Sequence, residues 1–166
     1  MQARLIFFVG FMGAGKTTVG QALADSLGWE FADLDRLIEQ REGRTIRELF
    51  EMRGEAEFRR LEREAITRCR TLSEAVIALG GGAYIAEVNR ALLREIGVSI
   101  WLDCPFEICF QRISGDAARP LLRSREAMNE LFEQRRPAYA LADLTIATGD
   151  RSQAELALAL LKLLTQ

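Results

Sequence analysis

The chain of 166 residues is long enough for one domain with a substantial core, and 49% of its residues are hydrophobic. Its formal net charge of −2 excludes the clustered basic excess of a general nucleic-acid or anionic-membrane surface. It has no run of about 18 apolar residues and no cleavage-like site near its amino terminus, so we expect a single cytoplasmic domain.

The chain contains no histidine. This excludes Ser-His-Asp and Cys-His catalytic pairs and removes the commonest transition-metal ligand. Its cysteines, Cys69, Cys104 and Cys109, form no Cys-x-x-Cys pair, so we expect small buried residues rather than disulfides or a zinc site. Proton chemistry in this chain must use carboxylates or lysine.

Strand and helix patterns alternate along the chain. The predicted strands are Leu5–Val9, 29–33, 75–79, Val98–Asp103 and Leu144–Ala147. The predicted helices are Lys16–Leu27, 34–40, one opened by a capping box at Thr45 and Glu48, 55–70, 88–95, 105–112, 124–135 and 152–164. Residues 113–124 contain Gly115 and Pro120 and are predicted to form a surface loop. The alternation predicts an α/β fold with a five-stranded parallel sheet between two helical layers.

A glycine-rich stretch, "VGFMGAGKTTVG", follows the first strand and opens the first helix. Gly10, Gly15, Lys16 and Thr17 match G-x-x-x-x-G-K-S/T, the phosphate-binding loop (P-loop). Lys16 is expected at the β- and γ-phosphates, and the Thr17 hydroxyl is expected to ligate Mg²⁺. A ligand-free turn is the alternative, but motif and context together favour nucleotide binding. The residues assigned to the nucleotide here are Gly13, Ala14, Gly15, Lys16, Thr17 and Thr18.

The third predicted strand ends in glycine where a Walker B aspartate would stand, so Mg²⁺ needs another carboxylate. Asp33 and Asp35 follow the second strand and could supply it, although either one could instead cap the next helix. Three glycines, residues 80–82, follow the third strand and allow backbone to approach a ligand. A plain tight turn is the alternative, but it needs fewer glycines.

In this combination the sequence resembles the shikimate kinases of the nucleoside-monophosphate-kinase-like P-loop group. The resemblance covers nearly the whole chain, through "GFMGAGKTTVG", "FADLDRLIE", "GRTIRELFEMRGEAEFRRLE", "LGGGAYI", "RPLL" and "EQRRPAY". Ala138 departs from the leucine that is frequent in the family. The resemblance implies a P-loop kinase fold with substrate-binding helices at about 34–62 and a mobile lid at about 113–124. It also implies transfer of the γ-phosphoryl group of ATP to the 3-hydroxyl of shikimate, with Mg²⁺. We expect a monomer, and the charge balance predicts no nucleic-acid or membrane partner.

Two aspartates and two arginines take roles from this resemblance. Asp35 would position or deprotonate the attacking hydroxyl, and Asp33 would hold Mg²⁺ through water. A carboxylate base agrees with the absence of histidine. Arg59 and Arg135 would clamp the substrate carboxylate, for which guanidinium groups are well shaped. The substrate-facing backbone would be that of Gly80, Gly81 and Gly82.

The remaining assignments concern the nucleotide. Arg119 would act with Lys16 in catalysis, moving with the lid onto the phosphates, and Arg112 and Arg151 would flank adenine. For any one arginine in a chain so rich in them, a solvated helix face is the alternative.

Two other functions remain open from the sequence. A related small-molecule kinase, such as a gluconate kinase, would also accept a hydroxylated acid. A nucleotide-dependent regulatory module would bind ATP and have no acceptor. An ADP-release assay with each acid separates these readings.

Overall fold

A computed structural model describes residues 4–115 and 124–165. Its strands are β1 (Leu5–Val9), β2 (Glu30–Asp33), β3 (Ala75–Ala78), β4 (Val98–Asp103) and β5 (Leu144–Ala147). Its α-helices are α1 (Lys16–Leu27), α2 (Leu34–Glu42), α3 (Ile46–Arg68), α4 (Glu87–Ile96), α5 (Phe106–Ser114), α6 (Arg125–Tyr139) and α7 (Gln153–Leu164). A short 3₁₀ turn, Cys69–Thr71, follows α3.

The five strands form one parallel sheet in the order β2-β3-β1-β4-β5. The predicted fold class is therefore confirmed. Every residue of β1 and β3 is buried, as expected for parallel strands covered on both faces. Ala78 of β3 pairs with Phe8 of β1 on one side and with Asp33 of β2 on the other. The carboxyl ends of these three strands therefore meet at one edge of the sheet.

Most predicted boundaries agree with the structure to within two residues. Gly28 ends α1 with a φ of 70°, and Thr45 and Glu48 form the predicted capping box at the start of α3. The segments predicted separately before and after residue 54 are two helical runs of α3, separated by a kink at Gly54, whose φ of 81° and ψ of 172° are not helical. Pro105 precedes α5 as its N-cap instead of occupying its first turn.

The predicted loop 113–124 and the end of α6 differ from expectation. The helix α5 continues to Ser114, so the first residues of that segment are helical. The helix α6 continues past Pro137 to Tyr139, which is 1% exposed. Proline has a helix-compatible φ and removes only one hydrogen bond near a helix end, so burial of Tyr139 outweighs that loss. The rest of the expected lid lies outside the described residues.

None of the helices within residues 4–115 and 124–165 combines the length and apolar character that crossing a membrane requires.

Candidate active site

The P-loop connects the carboxyl end of β1 to the amino end of α1. Gly13 and Gly15 have φ values of 78° and 95°, which residues with a side chain rarely adopt. A Cβ on Gly13 would also lie 2.8 Å from the Cys109 carbonyl oxygen, so the loop packs closely on α5. Because α1 begins at Lys16, directly after Gly15, the N–H groups of its first turn lie at the end of the loop, the position from which a helix binds an anion.

Lys16 is held by its own loop. Its Nζ donates to the carbonyl oxygens of Gly10, at 2.8 Å, and Phe11, at 2.9 Å. Burial lowers the pKa of Lys16 to about 8, against the opposing effect of the Asp35 and Asp33 carboxylates. The lysine therefore sits at the loop with its ammonium group already desolvated.

Asp33 connects β2 to the P-loop. Its Oδ1 accepts from the backbone N–H groups of Asp35 and Arg36, so it caps α2. Its Oδ2 accepts a hydrogen bond from the Thr17 hydroxyl over 3.3 Å. The capping alternative is thus true of Asp33, and a second oxygen of the same carboxylate still faces the loop. A hydroxyl and a carboxylate oxygen are donors that Mg²⁺ prefers, so the two residues fit this ion.

Each glycine of the triplet, residues 80–82, lies against a different residue that was predicted to bind the substrate. A Cβ on Gly80 would lie 2.8 Å from Asp35 Oδ1. One on Gly81 would lie 3.0 Å from Arg135 Nη1, and one on Gly82 would lie 2.5 Å from Arg59 Nη2. Each glycine therefore makes room for a different side chain. The acidic group and both guanidinium groups converge on one backbone segment.

Arg59 is fixed by a buried partner. Its Nη1 donates to both carboxylate oxygens of Glu62, at 2.9 and 3.1 Å. Glu62 is only 1% exposed. Burial raises the pKa of its carboxyl, and the Arg59 guanidinium partly offsets that rise. A buried carboxylate paired in this way restricts the positions that the arginine can take.

A cavity of about 430 Å³ joins the P-loop to this segment. The predicted residues that line it are Gly13, Ala14, Gly15, Lys16, Thr17, Thr18, Asp33, Asp35, Gly80, Gly81, Arg112 and Arg151. Arg112 also donates to the Gly13 carbonyl oxygen over 3.0 Å. Arg59, Gly82 and Arg135 lie beside the cavity, at the glycine triplet. Arg119 lies outside the described residues.

Several residues that line the cavity were not predicted from the sequence. Thr148, Gln153 and Leu156 line the cavity near Arg151, but they belong to no motif. Glu62 could have been suspected from its position one helical turn after Arg59. The predicted burial of the cysteines is confirmed for Cys69, Cys104 and Cys109.

A second cavity of about 440 Å³ lies between α2 and α3, with Leu37, Ile38 and Leu61 in its lining. It contains none of the residues predicted for the site. Because the two cavities have similar volumes, the convergence of three side chains on the glycine triplet, and not cavity volume, marks the candidate site.

Comparison with known proteins agrees with this geometry. The family model described as "Shikimate kinase" matches residues 12–165. The chain belongs to the shikimate kinase family. Among curated family members, the shikimate kinase of Geobacter sulfurreducens is 49% identical over 152 residues, covering 90% of this chain and 84% of the relative. That of Persephonella marina is 45% identical over 150 residues, covering 90% and 92%.

Solved structures of the family have the same fold. A shikimate kinase from Acinetobacter baumannii in complex with shikimate superposes with a TM-score of 0.90 at 38% identity, covering 98% of this chain and 93% of that one. The shikimate kinase of Aquifex aeolicus gives 0.83 at 33% identity, covering 97% and 96%. A sugar kinase from Janibacter, at 20% identity and a TM-score of 0.66, shares the fold alone.

Proposed function

We propose that this chain transfers the γ-phosphoryl group of ATP to the 3-hydroxyl of shikimate, forming shikimate 3-phosphate and ADP. The observation that carries the proposal is the convergence of Asp35, Arg59 and Arg135 on the glycine triplet, next to the P-loop. The family membership and the relative described in complex with shikimate support the same acceptor.

The donor side consists of the P-loop and the first turn of α1. The loop amides and the Lys16 ammonium would hold the β- and γ-phosphates. The Thr17 hydroxyl and the Asp33 carboxylate would hold Mg²⁺, which supplies positive charge at the phosphate oxygens when it is bound. Arg112 and Arg151, which line the same cavity, are proposed to contact the nucleoside.

The acceptor side presents one negative and two positive groups. A carboxylate substrate group would pair with Arg59 and Arg135, whose planar guanidinium groups form paired hydrogen bonds with such anions. Asp35 would then accept a hydrogen bond from the attacking hydroxyl. An acid that carries hydroxyls fits this arrangement better than a neutral sugar does.

The chemical step is proposed as in-line transfer. The acceptor oxygen forms a bond to the γ-phosphorus while the bond from that phosphorus to the bridging oxygen breaks, and ADP leaves. The hydroxyl proton passes to the Asp35 carboxylate. Most of the acceleration would come from positioning and charge neutralisation. The proposed phosphate contact of Arg119 rests on the family resemblance.

The proposal is tested by measuring ADP release from the purified chain with ATP and Mg²⁺, in the presence of shikimate, gluconate or neither acid. ADP release should depend on shikimate, and mass spectrometry should identify shikimate 3-phosphate. Stimulation by gluconate instead would assign a different acceptor. No stimulation by either acid would leave a nucleotide-binding module. We also propose a cytoplasmic monomer, which sedimentation of the purified chain tests for its oligomeric state.

A further inference from the structure

The middle glycine of the triplet is held by a tyrosine from another part of the chain. The Tyr139 hydroxyl donates a hydrogen bond to the Gly81 carbonyl oxygen over 2.5 Å. Tyr139 is the last residue of α6 and is 1% exposed. Its side chain is therefore anchored in the core while its hydroxyl reaches the proposed acceptor site.

The triplet needs such a restraint, because three successive glycines have unusually free backbones. Turn hydrogen bonds already hold two of their carbonyl groups: Gly80 accepts from Ala83 N at 3.0 Å, and Gly82 accepts from Ile85 N at 3.2 Å. The Gly81 carbonyl instead accepts from the Tyr139 side chain. Since a peptide unit is planar, the orientation of this carbonyl also fixes that of the Gly82 N–H.

The same hydroxyl lies near the arginine that faces Gly81. Arg135 precedes Tyr139 by one helical turn, and a Cβ on Gly81 would lie 3.0 Å from Arg135 Nη1 and 3.7 Å from the Tyr139 hydroxyl. Burial raises the pKa of Tyr139 to about 12, although the Arg135 charge opposes this rise. The hydroxyl therefore keeps its proton, and its ability to donate, throughout the neutral pH range.

We propose that Tyr139 is a positioning residue for the acceptor: its hydroxyl fixes the Gly81 peptide and the adjacent Arg135 guanidinium in the arrangement that receives the substrate carboxylate. This inference rests on the proposed function. It assigns Tyr139 to acceptor binding, not to the P-loop or to proton transfer.

The test compares Tyr139→Phe with Tyr84→Phe. Tyr84 is a matched control because it is also 1% exposed and its hydroxyl also donates to a backbone carbonyl, that of Leu141, at 3.1 Å. Its hydroxyl contacts Ser99 and not the triplet. Both substitutions keep the ring and remove one buried hydroxyl, so Tyr84→Phe measures what the loss of such a hydroxyl does away from the triplet.

Tyr139→Phe should raise the KM for shikimate about tenfold, the scale of one lost buried hydrogen bond, with a smaller change in kcat and no change in the KM for ATP. Tyr84→Phe should keep all three values. An unchanged KM for shikimate in Tyr139→Phe, or equal changes in both variants, would overturn the inference. Lack of shikimate phosphorylation by the unsubstituted chain would instead overturn the proposed function.

A second measurement does not require the Tyr139→Phe variant to fold. The chain has two tyrosines, so in Tyr84→Phe the sole tyrosine is Tyr139. Incorporated 3-fluorotyrosine then gives one ¹⁹F signal, which should shift when shikimate is added. A signal that stays in place while shikimate is being phosphorylated would show that Tyr139 does not serve the acceptor.

Discussion

The Thr17 hydroxyl donates a hydrogen bond to the Asp33 carboxylate, which joins the first turn of α1 to the end of β2 over 3.3 Å. The other Asp33 oxygen caps α2 through the N–H groups of Asp35 and Arg36. One oxygen of this carboxylate therefore caps α2, and the other faces the P-loop.

Asp33→Asn should separate these two roles. Asparagine caps helices about as well as aspartate, so the melting temperature should change little. The neutral amide binds Mg²⁺ less well, so we expect the Mg²⁺ concentration for half-maximal activity to rise about tenfold. Activity measured against free Mg²⁺ at fixed ATP checks this. An unchanged Mg²⁺ dependence would remove Asp33 from the metal site.

Asp35→Asn should abolish most phosphoryl transfer. The amide keeps the size of the carboxylate but cannot accept the hydroxyl proton, so kcat should fall by about 10²- to 10⁴-fold. The melting temperature should stay close to that of the unsubstituted chain. Single-turnover ADP formation with saturating shikimate measures the effect, and unchanged turnover would exclude Asp35 from the mechanism.

Substitutions within the triplet should affect different kinetic constants. The Cβ of Gly80→Ala would displace the Asp35 carboxylate, so it should lower kcat at least about tenfold. The Cβ of Gly82→Ala would displace the Arg59 guanidinium, so it should mainly raise the KM for shikimate. Steady-state kinetics on both variants provides the comparison. Identical kinetic defects would contradict the separate approaches seen in the structure.

The lowered pKa of Lys16 predicts that kcat/KM for ATP depends on pH. Phosphate binding needs the protonated amine, and burial lowers the pKa of Lys16 to about 8. In the free enzyme the amine is charged below this pKa and neutral above it, so kcat/KM for ATP should decline as pH rises through about 8. The exposed Lys162, the only other lysine, offers the control Lys162→Met, which should retain the profile. A constant kcat/KM up to pH 10 would show that the pKa of Lys16 is not lowered.

Gly97 should be important for stability and not for chemistry. A Cβ at this position would lie 2.5 Å from the Leu5 carbonyl oxygen and 2.8 Å from the Phe7 ring. Gly97→Ala should therefore lower the free energy of unfolding by about 1–3 kcal/mol, the usual cost of overpacking. Urea unfolding measures the change, and kinetics in the folded range should be preserved. Wild-type stability would mean that β1 moves to accommodate the methyl group.

Local pattern was enough to predict the sheet, the P-loop and the aspartate pair. The strand, the loop and α1 are continuous in the chain, and their glycine, lysine and threonine have fixed spacing. Asp33 and Asp35 directly follow β2, and all the parallel strands end at one edge. These features depend on residues that are close together in the chain, so their spacing in the sequence predicts them.

Long-range partners could not be predicted in the same way. Arg59 and Arg60 are neighbours in a highly charged helix, and composition does not separate them. In the structure, Arg60 pairs with the surface residues Glu57 and Glu64, whereas Arg59 pairs with the buried Glu62. The burial of their carboxylate partners is what distinguishes the two arginines in the structure. The hydrogen bond between Tyr139 and Gly81 likewise joins residues 58 positions apart.

The position of β3 between β2 and β1 limits which sequence changes such a chain can tolerate. Main-chain hydrogen bonds align Phe8, Ala78 and Asp33. The pairing register of these strands therefore sets the distance between the proposed phosphate site and the proposed acceptor site. Apolar residues inside these strands can be exchanged for others of similar volume without altering that separation. A deletion of one residue from β3, in contrast, would shift the triplet by one pleat and misalign both substrates at once.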